Sequence, residues 1–188
     1  MKKIAIFASG SGTNAQNIID WFSNNDTVFI DSVFSNKADA YVLERAKNAG
    51  VEAFIFGRNE FYESDQVINI LKSRNIDMVV LAGFLWLIPE KMISNFTIIN
   101  IHPALLPKYG GKGMYGIAVH KAVILNGEKE SGITIHYVNE KYDDGQIIFQ
   151  ATCEVVKGDT PEDVAQKVHH LEYAYFPRII EQVLSNDI

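Results

Sequence analysis

A single cysteine, Cys153, stands among 188 residues. An internal disulfide is therefore excluded, and no pair of thiolates is available for structural zinc. The five histidines are scattered, and none lies at ligand spacing from an acid or from Cys153. No metal and a reducing compartment are the expectations. Long hydrophobic runs are also missing. After Lys2 and Lys3 the amino terminus offers only Ile4 to Ala8 before a Gly and Ser turn, too short an apolar stretch for a signal peptide. No longer run could span a bilayer, and the cytoplasm is the expected location. Excess positive charge is absent too: 17 Lys and Arg against 23 Asp and Glu give a net charge of −6. That sign argues against a nonspecific binder of nucleic acid or of an anionic membrane surface. It leaves room for a small basic pocket holding one phosphorylated molecule. What remains, 47% hydrophobic and 11% aromatic residues, suffices for a real core. The length suits one domain, 1–188, read as a phosphate-binding βα half over 1–105 and a second half over 106–188.

Short apolar runs rich in β-branched residues alternate with helix-periodic segments through the first hundred residues, the pattern of a parallel α/β sheet. Strands are predicted at Lys3 to Ala8, Val28 to Phe34, Glu52 to Ile55, Asp77 to Leu81 and Thr97 to His102, all buried because helices should cover both faces. Helices are predicted at Asn14 to Phe22, Asp39 to Asn48 and Glu60 to Arg74, with a short one opened by Pro89 at its first position. Beyond Leu105 the pattern changes. A Gly- and Pro-rich stretch, Leu106 to Gly116, precedes a helix ending near Asn126 and two strands, Ile133 to Val138 and Gln146 to Val155. Thr160, Pro161 and Asp163 open the last helix with a capping residue, a proline and a first-turn acid, and Pro177 should kink or interrupt it.

Three segments carry chemistry. The turn Ala8-Ser9-Gly10-Ser11-Gly12-Thr13-Asn14-Ala15 lies between a strand and a helix, where free backbone amides and the helix dipole favour an anion. Gly10, Gly12 and Ala15 satisfy the loose dinucleotide fingerprint, but the second strand ends in Ser35 and Asn36 rather than the acid that holds a ribose. A phosphate monoester fits better than a nicotinamide cofactor. A turn needed only for strand-to-helix packing stays open as the alternative. Gly111-Lys112-Gly113 is no Walker motif, since no Ser or Thr follows the lysine.

At the end of the fifth strand Asn100 and His102 stand two apart, on one face at the carboxyl end, where open α/β sheets bind ligands. An imidazole moves protons near neutral pH and a carboxamide donates to an oxyanion, although a core histidine and a capping amide would look the same in sequence. The loop Asn139 to Gly145 holds Glu140, Asp143 and Asp144 and follows a strand carrying His136. Adjacent aspartates before glycine are ordinarily a solvated turn; flanking strands make a carboxylate facing His102 the alternative. The remaining histidines, His120, His136, His169 and His170, read as structural or surface residues.

Taken together, Ser9 to Asn14, Phe34-Ser35-Asn36-Lys37-Ala38, Leu81-Ala82-Gly83-Phe84, Asn100 to Lys108, and Ser131-Gly132 through Gly145-Gln146-Ile147-Ile148 resemble the glycinamide ribonucleotide formyltransferase family, folate-dependent enzymes of purine biosynthesis. The resemblance covers essentially the whole chain. Its segment Asn100 to Pro107 is the signature of folate-dependent formyl transfer. It implies a single-domain Rossmann-like sheet, mostly parallel and twisted, with helices on both faces and antiparallel strands in the C-terminal half. It implies formyl transfer from 10-formyltetrahydrofolate, a cosubstrate, to the amine of 5-phosphoribosylglycinamide. The catalytic residues it implies are Asn100, His102 and Asp143, with Asp143 rather than Asp144 beginning the Asp-x-Gly-x-Ile pattern. Gly12, Thr13 and Asn14 would hold the phosphate and Glu172 would touch the same substrate. Arg58 and Leu85, Trp86, Leu87 and Ile88 would contact the folate together with Asn100, and the loop Val138 to Asp143 would close over the pterin.

The chain departs from the family in two places. Trp86 stands where many members carry Arg, and Tyr109 to Gly116 is longer and richer in glycine, either a lid or an ordinary turn. Competing functions are a related formyltransferase acting on methionyl-tRNA or a sugar nucleotide, a formylfolate hydrolase, a noncatalytic nucleotide-binding module, and a nicotinamide oxidoreductase. The first two usually carry a further domain. The third has no use for Asn100, His102 and Asp143 together, and the fourth lacks its ribose acid.

Overall fold

The computed structural model describes residues 1–185. The chain divides into two compact units, the first Met1–Ile99 and the second beginning at Asn100. The division falls within the fifth strand, a few residues before the 105/106 boundary read from the sequence.

In the first unit four strands, β1 (Lys2–Phe7), β2 (Val28–Ser35), β3 (Glu52–Ile55) and β4 (Met78–Leu81), run parallel in the order β3-β2-β1-β4. Parallel neighbours require crossovers, which α1 (Thr13–Phe22), α2 (Tyr41–Asn48) and α3 (Gln66–Ser73) supply. Ile4, Ile6, Phe7, Val33 and Phe34 are fully buried between these layers. Phe7 stacks on Phe34 with centroids 4.8 Å apart, and Phe54, Phe56, Phe61 and Phe84 extend the cluster. Each such ring contributes roughly 1.5–3 kcal/mol by leaving water. Asp31 on β2 is buried and charged, which is tolerable only with partners. Arg74 Nε lies 2.5 Å and Lys3 Nζ 3.4 Å from its carboxylate, and Arg74 also reaches Glu52 at 2.8 Å, tying β1, β2 and β3 together.

Three expectations need correction here. β3 is largely exposed, because it is the outer strand of this set. The predicted helix Glu60 to Arg74 is broken: a π-helical turn, Asn59–Glu63, ends at Ser64, and α3 starts only at Gln66. Its apolar period continues across the break, which is why sequence periodicity merged the two. Pro89 precedes α4 (Glu90–Ile93) as an extended cap rather than as its first residue.

β5 (Thr97–His102), whose last three residues open the second unit, is followed by β6 (Glu130–Tyr137) and β7 (Ile147–Glu154) in the order β5-β6-β7, and β6 and β7 pair antiparallel. The α/β architecture, parallel first and antiparallel near the C terminus, is the one expected. Helices α5 (Ile117–Leu125) and α6 (Pro161–Ser185) pack on each other and α6 on β6. Thr160 and Asp163 cap α6 reciprocally, the Asp163 carboxylate accepting from the Thr160 N–H at 2.9 Å and the Thr160 hydroxyl accepting from the Asp163 N–H at 3.2 Å. Pro177 does not interrupt α6, which runs through it with Pro177 buried. Among the described residues no helix is long and apolar enough to cross a membrane.

Candidate active site

The end of β5 delivers Asn100 and His102 to one side, as strand alternation requires. The next segment is held down by Thr134 on β6, whose buried hydroxyl donates to the Ala104 carbonyl at 2.7 Å and accepts from the Leu106 N–H at 3.0 Å. His102 is 4% exposed. Its Nε2 lies 2.7 Å from the Tyr109 carbonyl oxygen and its Nδ1 lies 3.5 Å from Asp143 Oδ2. A carbonyl only accepts, so Nε2 carries the proton. In the neutral ring Nδ1 then presents its lone pair to the carboxylate. Asp143 is held in turn by the Gly111 N–H, which donates to Oδ2 at 2.9 Å. Asp144 sits outside this arrangement, its side chain 55% exposed and its carboxylate 3.5 Å from Lys141 Nζ.

His136, which sequence reasoning read as structural or surface, belongs to the same cluster. Its Nδ1 lies 2.8 Å from the Tyr137 carbonyl, so the proton sits there and Nε2 is an acceptor. Asn100 Nδ2 donates to that atom at 3.1 Å and to Asp143 Oδ1 at 3.4 Å. Both amide hydrogens of Asn100 are thus engaged, and the amide orientation is dictated by its two acceptors. The signal in the sequence was the alternation of β6, which puts Thr134 and His136 on one face.

Burial lowers the pKa of His102 from its ordinary value, outweighing the attraction of Asp143 and the Tyr109 hydrogen bond, which raise it, and so favours the neutral imidazole. Burial works in the opposite direction on Asp143, yet the hydrogen bond from the Gly111 N–H helps to hold its pKa below the usual carboxylate range. Backbone strain concentrates at the same place. Among the described residues the positive-φ positions other than glycine are Asn75, Tyr109 and Asp143, and the last two flank His102.

Glu172 is buried in the middle of α6, its carboxylate 4.0 Å from His169 Nε2. His120 on α5 is buried with its Nδ1 unpartnered, and burial above all pushes its pKa down to about 4.

The glycine turn belongs to the first unit. Gly12 is the residue before α1, at φ 72°, and a Cβ there would lie 2.4 Å from Val42 Cγ2. Both the left-handed backbone and the approach of α2 therefore require glycine. No side chain caps α1 and no acid lies in its first turn, so nothing there offsets the positive end of the helix dipole at Thr13 and Asn14. Ser9 anchors the turn, its hydroxyl donating to Asn36 Oδ1 at 2.7 Å and accepting from the Leu85 N–H at 3.0 Å. Arg45, for which no motif gave a signal, donates from Nε to the Ser11 carbonyl at 2.8 Å and brings a cation to this turn.

Also in the first unit, Arg58 lies over Trp86, 5.0 Å from the ring centre, and 5.9 Å from the centre of Tyr62. Arg58, Asn59, Tyr62 and Glu63 line an open cleft of about 520 Å³. The Tyr62 hydroxyl donates to the Leu87 carbonyl at 2.9 Å. Leu85, Trp86 and Leu87 are half-buried, whereas the Ile88 side chain is in the core.

This α/β chain with its Asn, His and Asp cluster belongs to the formyl transferase family, whose profile matches residues 2–180. A phosphoribosylglycinamide formyltransferase of Haemophilus influenzae is 40% identical over 188 residues, covering 96% of this chain and 86% of the relative. The chloroplastic phosphoribosylglycinamide formyltransferase of Arabidopsis thaliana is 39% identical, covering 100% and 67%. Among solved structures, glycinamide ribonucleotide transformylase 1 from Symbiobacterium toebii has a TM-score of 0.88 at 33% identity, covering 99% of this chain and 89% of that one.

Proposed function

We propose that this chain transfers the formyl group of 10-formyltetrahydrofolate to the amine of 5-phosphoribosylglycinamide, a step of de novo purine biosynthesis. The observation that carries the reading is His102, buried and neutral, with its proton committed to the Tyr109 carbonyl and its free nitrogen 3.5 Å from an ionised Asp143. An amine attacking a formyl carbon must lose a proton while the formyl oxygen gains negative charge. Nδ1 of His102 takes that proton. Asp143 and the Tyr109 carbonyl then stabilise the imidazolium as it forms, one on each nitrogen. Once Asp143 pairs with the imidazolium, the 3.4 Å contact from Asn100 is the weaker demand on it. The Asn100 amide hydrogen then turns to the oxyanion. As the adduct collapses, the oxyanion re-forms the carbonyl and the bond from the formyl carbon to the folate N10 breaks. The imidazolium returns its proton to N10, so tetrahydrofolate leaves and His102 is neutral again. No step needs a metal.

The backbone amides at Gly12, Thr13 and Asn14 suit a phosphate, supported by the helix dipole and by Arg45. Glu172 is assigned to the same substrate. Arg58 and the segment Leu85 to Ile88 are assigned to the folate, Ile88 through its backbone, with Val138 to Asp143 closing over the pterin. The location proposed is the cytoplasm, and the partners are small molecules.

Acceptor competition tests the reading against other formyl transfers. With 10-formyltetrahydrofolate present, 5-phosphoribosylglycinamide should be formylated far faster than its dephosphorylated riboside or methionyl-tRNA. Equal rates with the riboside would remove the phosphate assignment. Folate turnover that is unaffected by any amine would make the chain a hydrolase.

A further inference from the structure

We infer that Tyr109 is a positioning residue for His102, anchored through its hydroxyl on Glu128 so that its backbone carbonyl keeps the imidazole proton on Nε2 and leaves Nδ1 to accept. The inference rests on His102 as the base of the proposed reaction. It starts from an oddity of the loop after β5. Gly110, Gly111, Gly113 and Gly116 crowd this segment, yet the left-handed position at φ 59° is given to Tyr109, where a β-carbon is unfavourable. A glycine would adopt that conformation without penalty, so the side chain must contribute something that glycine cannot.

What it contributes is an anchor. The Tyr109 hydroxyl donates to Glu128 Oε1 at 2.8 Å, and Lys108 Nζ donates to the same oxygen at 2.8 Å. Asn126 faces the hydroxyl as well. Two consecutive side chains are thereby fastened to the turn after α5, which fixes the peptide that follows them. That peptide's carbonyl meets His102 Nε2 at 2.7 Å. Two residues on, the Gly111 N–H meets Asp143. One short backbone segment therefore supplies an acceptor to the imidazole and a donor to the carboxylate beside it. The approach is close: a Cβ at Gly110 would lie 3.1 Å from Asp143 Cβ and 2.6 Å from Leu106 Cδ2. Were the Tyr109 carbonyl to drift, no other hydrogen-bond acceptor among the described residues would hold the proton on Nε2. The imidazole would then be free to place it on Nδ1, facing Asp143, and be lost as a base.

The test uses Tyr109→Phe, Glu128→Ala and Glu128→Gln in the full chain, with thermal unfolding to check the fold. Two-bond 1H–15N spectra of the unliganded protein report the His102 tautomer directly. The wild type should show the Nε2–H form. Tyr109→Phe and Glu128→Ala should mix in the Nδ1–H form and lower kcat about tenfold with KM within about twofold, the size expected of misplacement rather than removal. Their acidic limb should move to lower pH, because the carbonyl contact that favours the imidazolium is weakened. Glu128→Gln keeps an acceptor for the hydroxyl and should recover most of the loss. Folded Tyr109→Phe and Glu128→Ala proteins with an unchanged tautomer and kcat within twofold of wild type would overturn the inference. If Tyr109→Phe does not fold, the two Glu128 variants decide it. His102→Ala separates the two readings: if it turns over like the wild type, the base assignment fails, while the spectra still judge Tyr109.

Discussion

Replacing Asp143 by Asn changes a single charge at the centre of the proposed chemistry and leaves the side chain's size intact. The carboxylate sits 3.5 Å from His102 Nδ1. With an effective dielectric near 20, a unit charge pair at that distance is worth about 5 kcal/mol, and in fully aqueous surroundings about 1 kcal/mol. The burial of both groups places the pair between these limits, so turnover should fall by roughly 10- to 10³-fold. Hydrogen bonding adds to the loss. The Gly111 N–H can still donate to the new amide oxygen, but the amide nitrogen then confronts Asn100 Nδ2, two donors face to face. The pH profile carries a second signature. Asp143 raises the His102 pKa against the larger lowering by burial. Without the carboxylate the pKa falls further, and the limb on which the base is lost by protonation moves to lower pH. Asp144→Asn is the control, since its exposed pair with Lys141 is worth about 0–1 kcal/mol at most. The assay is a pH-rate comparison of both variants with both substrates saturating. If Asp143→Asn stays within threefold of wild type while Asp144→Asn loses activity, the carboxylate has been assigned to the wrong residue.

Asn14→Leu should raise the KM for the ribonucleotide at least tenfold and leave that for the folate within about twofold; equal weakening of both would count against a phosphate site at the start of α1. Gly12→Ala should lower the Tm sharply, because φ 72° and a 2.4 Å approach to Val42 Cγ2 both oppose a β-carbon. Adding Val42→Ala should restore only part of the loss, since the backbone strain remains, and full restoration would show that sterics alone matter. His120, with a pKa near 4 when folded against about 6.5 unfolded, makes the unfolded chain bind more protons between those values. Its contribution, up to about 3 kcal/mol, is complete above pH 6.5 and is lost as pH falls toward 4. His120→Asn should therefore flatten urea-unfolding stability between pH 7 and 5, and an unchanged slope would refute the assignment.

The parallel half was readable because its strands are continuous apolar runs and its helices have clear apolar periods. β3 matched in extent but not in burial, since its position as the outer strand depends on tertiary order. The break at Ser64 was hidden because an apolar period cannot distinguish a π-turn followed by a new helix from one helix. At Pro177 the sequence left a kink and an interruption both open, and only the packing of α6, in which Pro177 is buried, shows that the helix is not interrupted. At the site, alternation along β5 was enough to put Asn100 and His102 on one face, and the family pattern selected Asp143. The placement of Asp143 and Asp144 follows that selection, but the lowering of the His102 pKa by burial, a property of the fold, has no counterpart in the sequence. Arg45, Tyr109 and Glu128 left no trace in any motif because they act through backbone carbonyls and a hydroxyl rather than through a fixed spacing.

Formyl transfer itself is the most direct test of the account. Purified protein, 5-phosphoribosylglycinamide and 10-formyltetrahydrofolate should give the N-formyl product and tetrahydrofolate in equal amounts, with little folate turnover when the amine is left out. His102→Ala, folded as judged by thermal unfolding, should lower the rate by about 10²-fold or more. Product formation by His102→Ala at the wild-type rate, or folate consumption by the wild type without the amine, would contradict it.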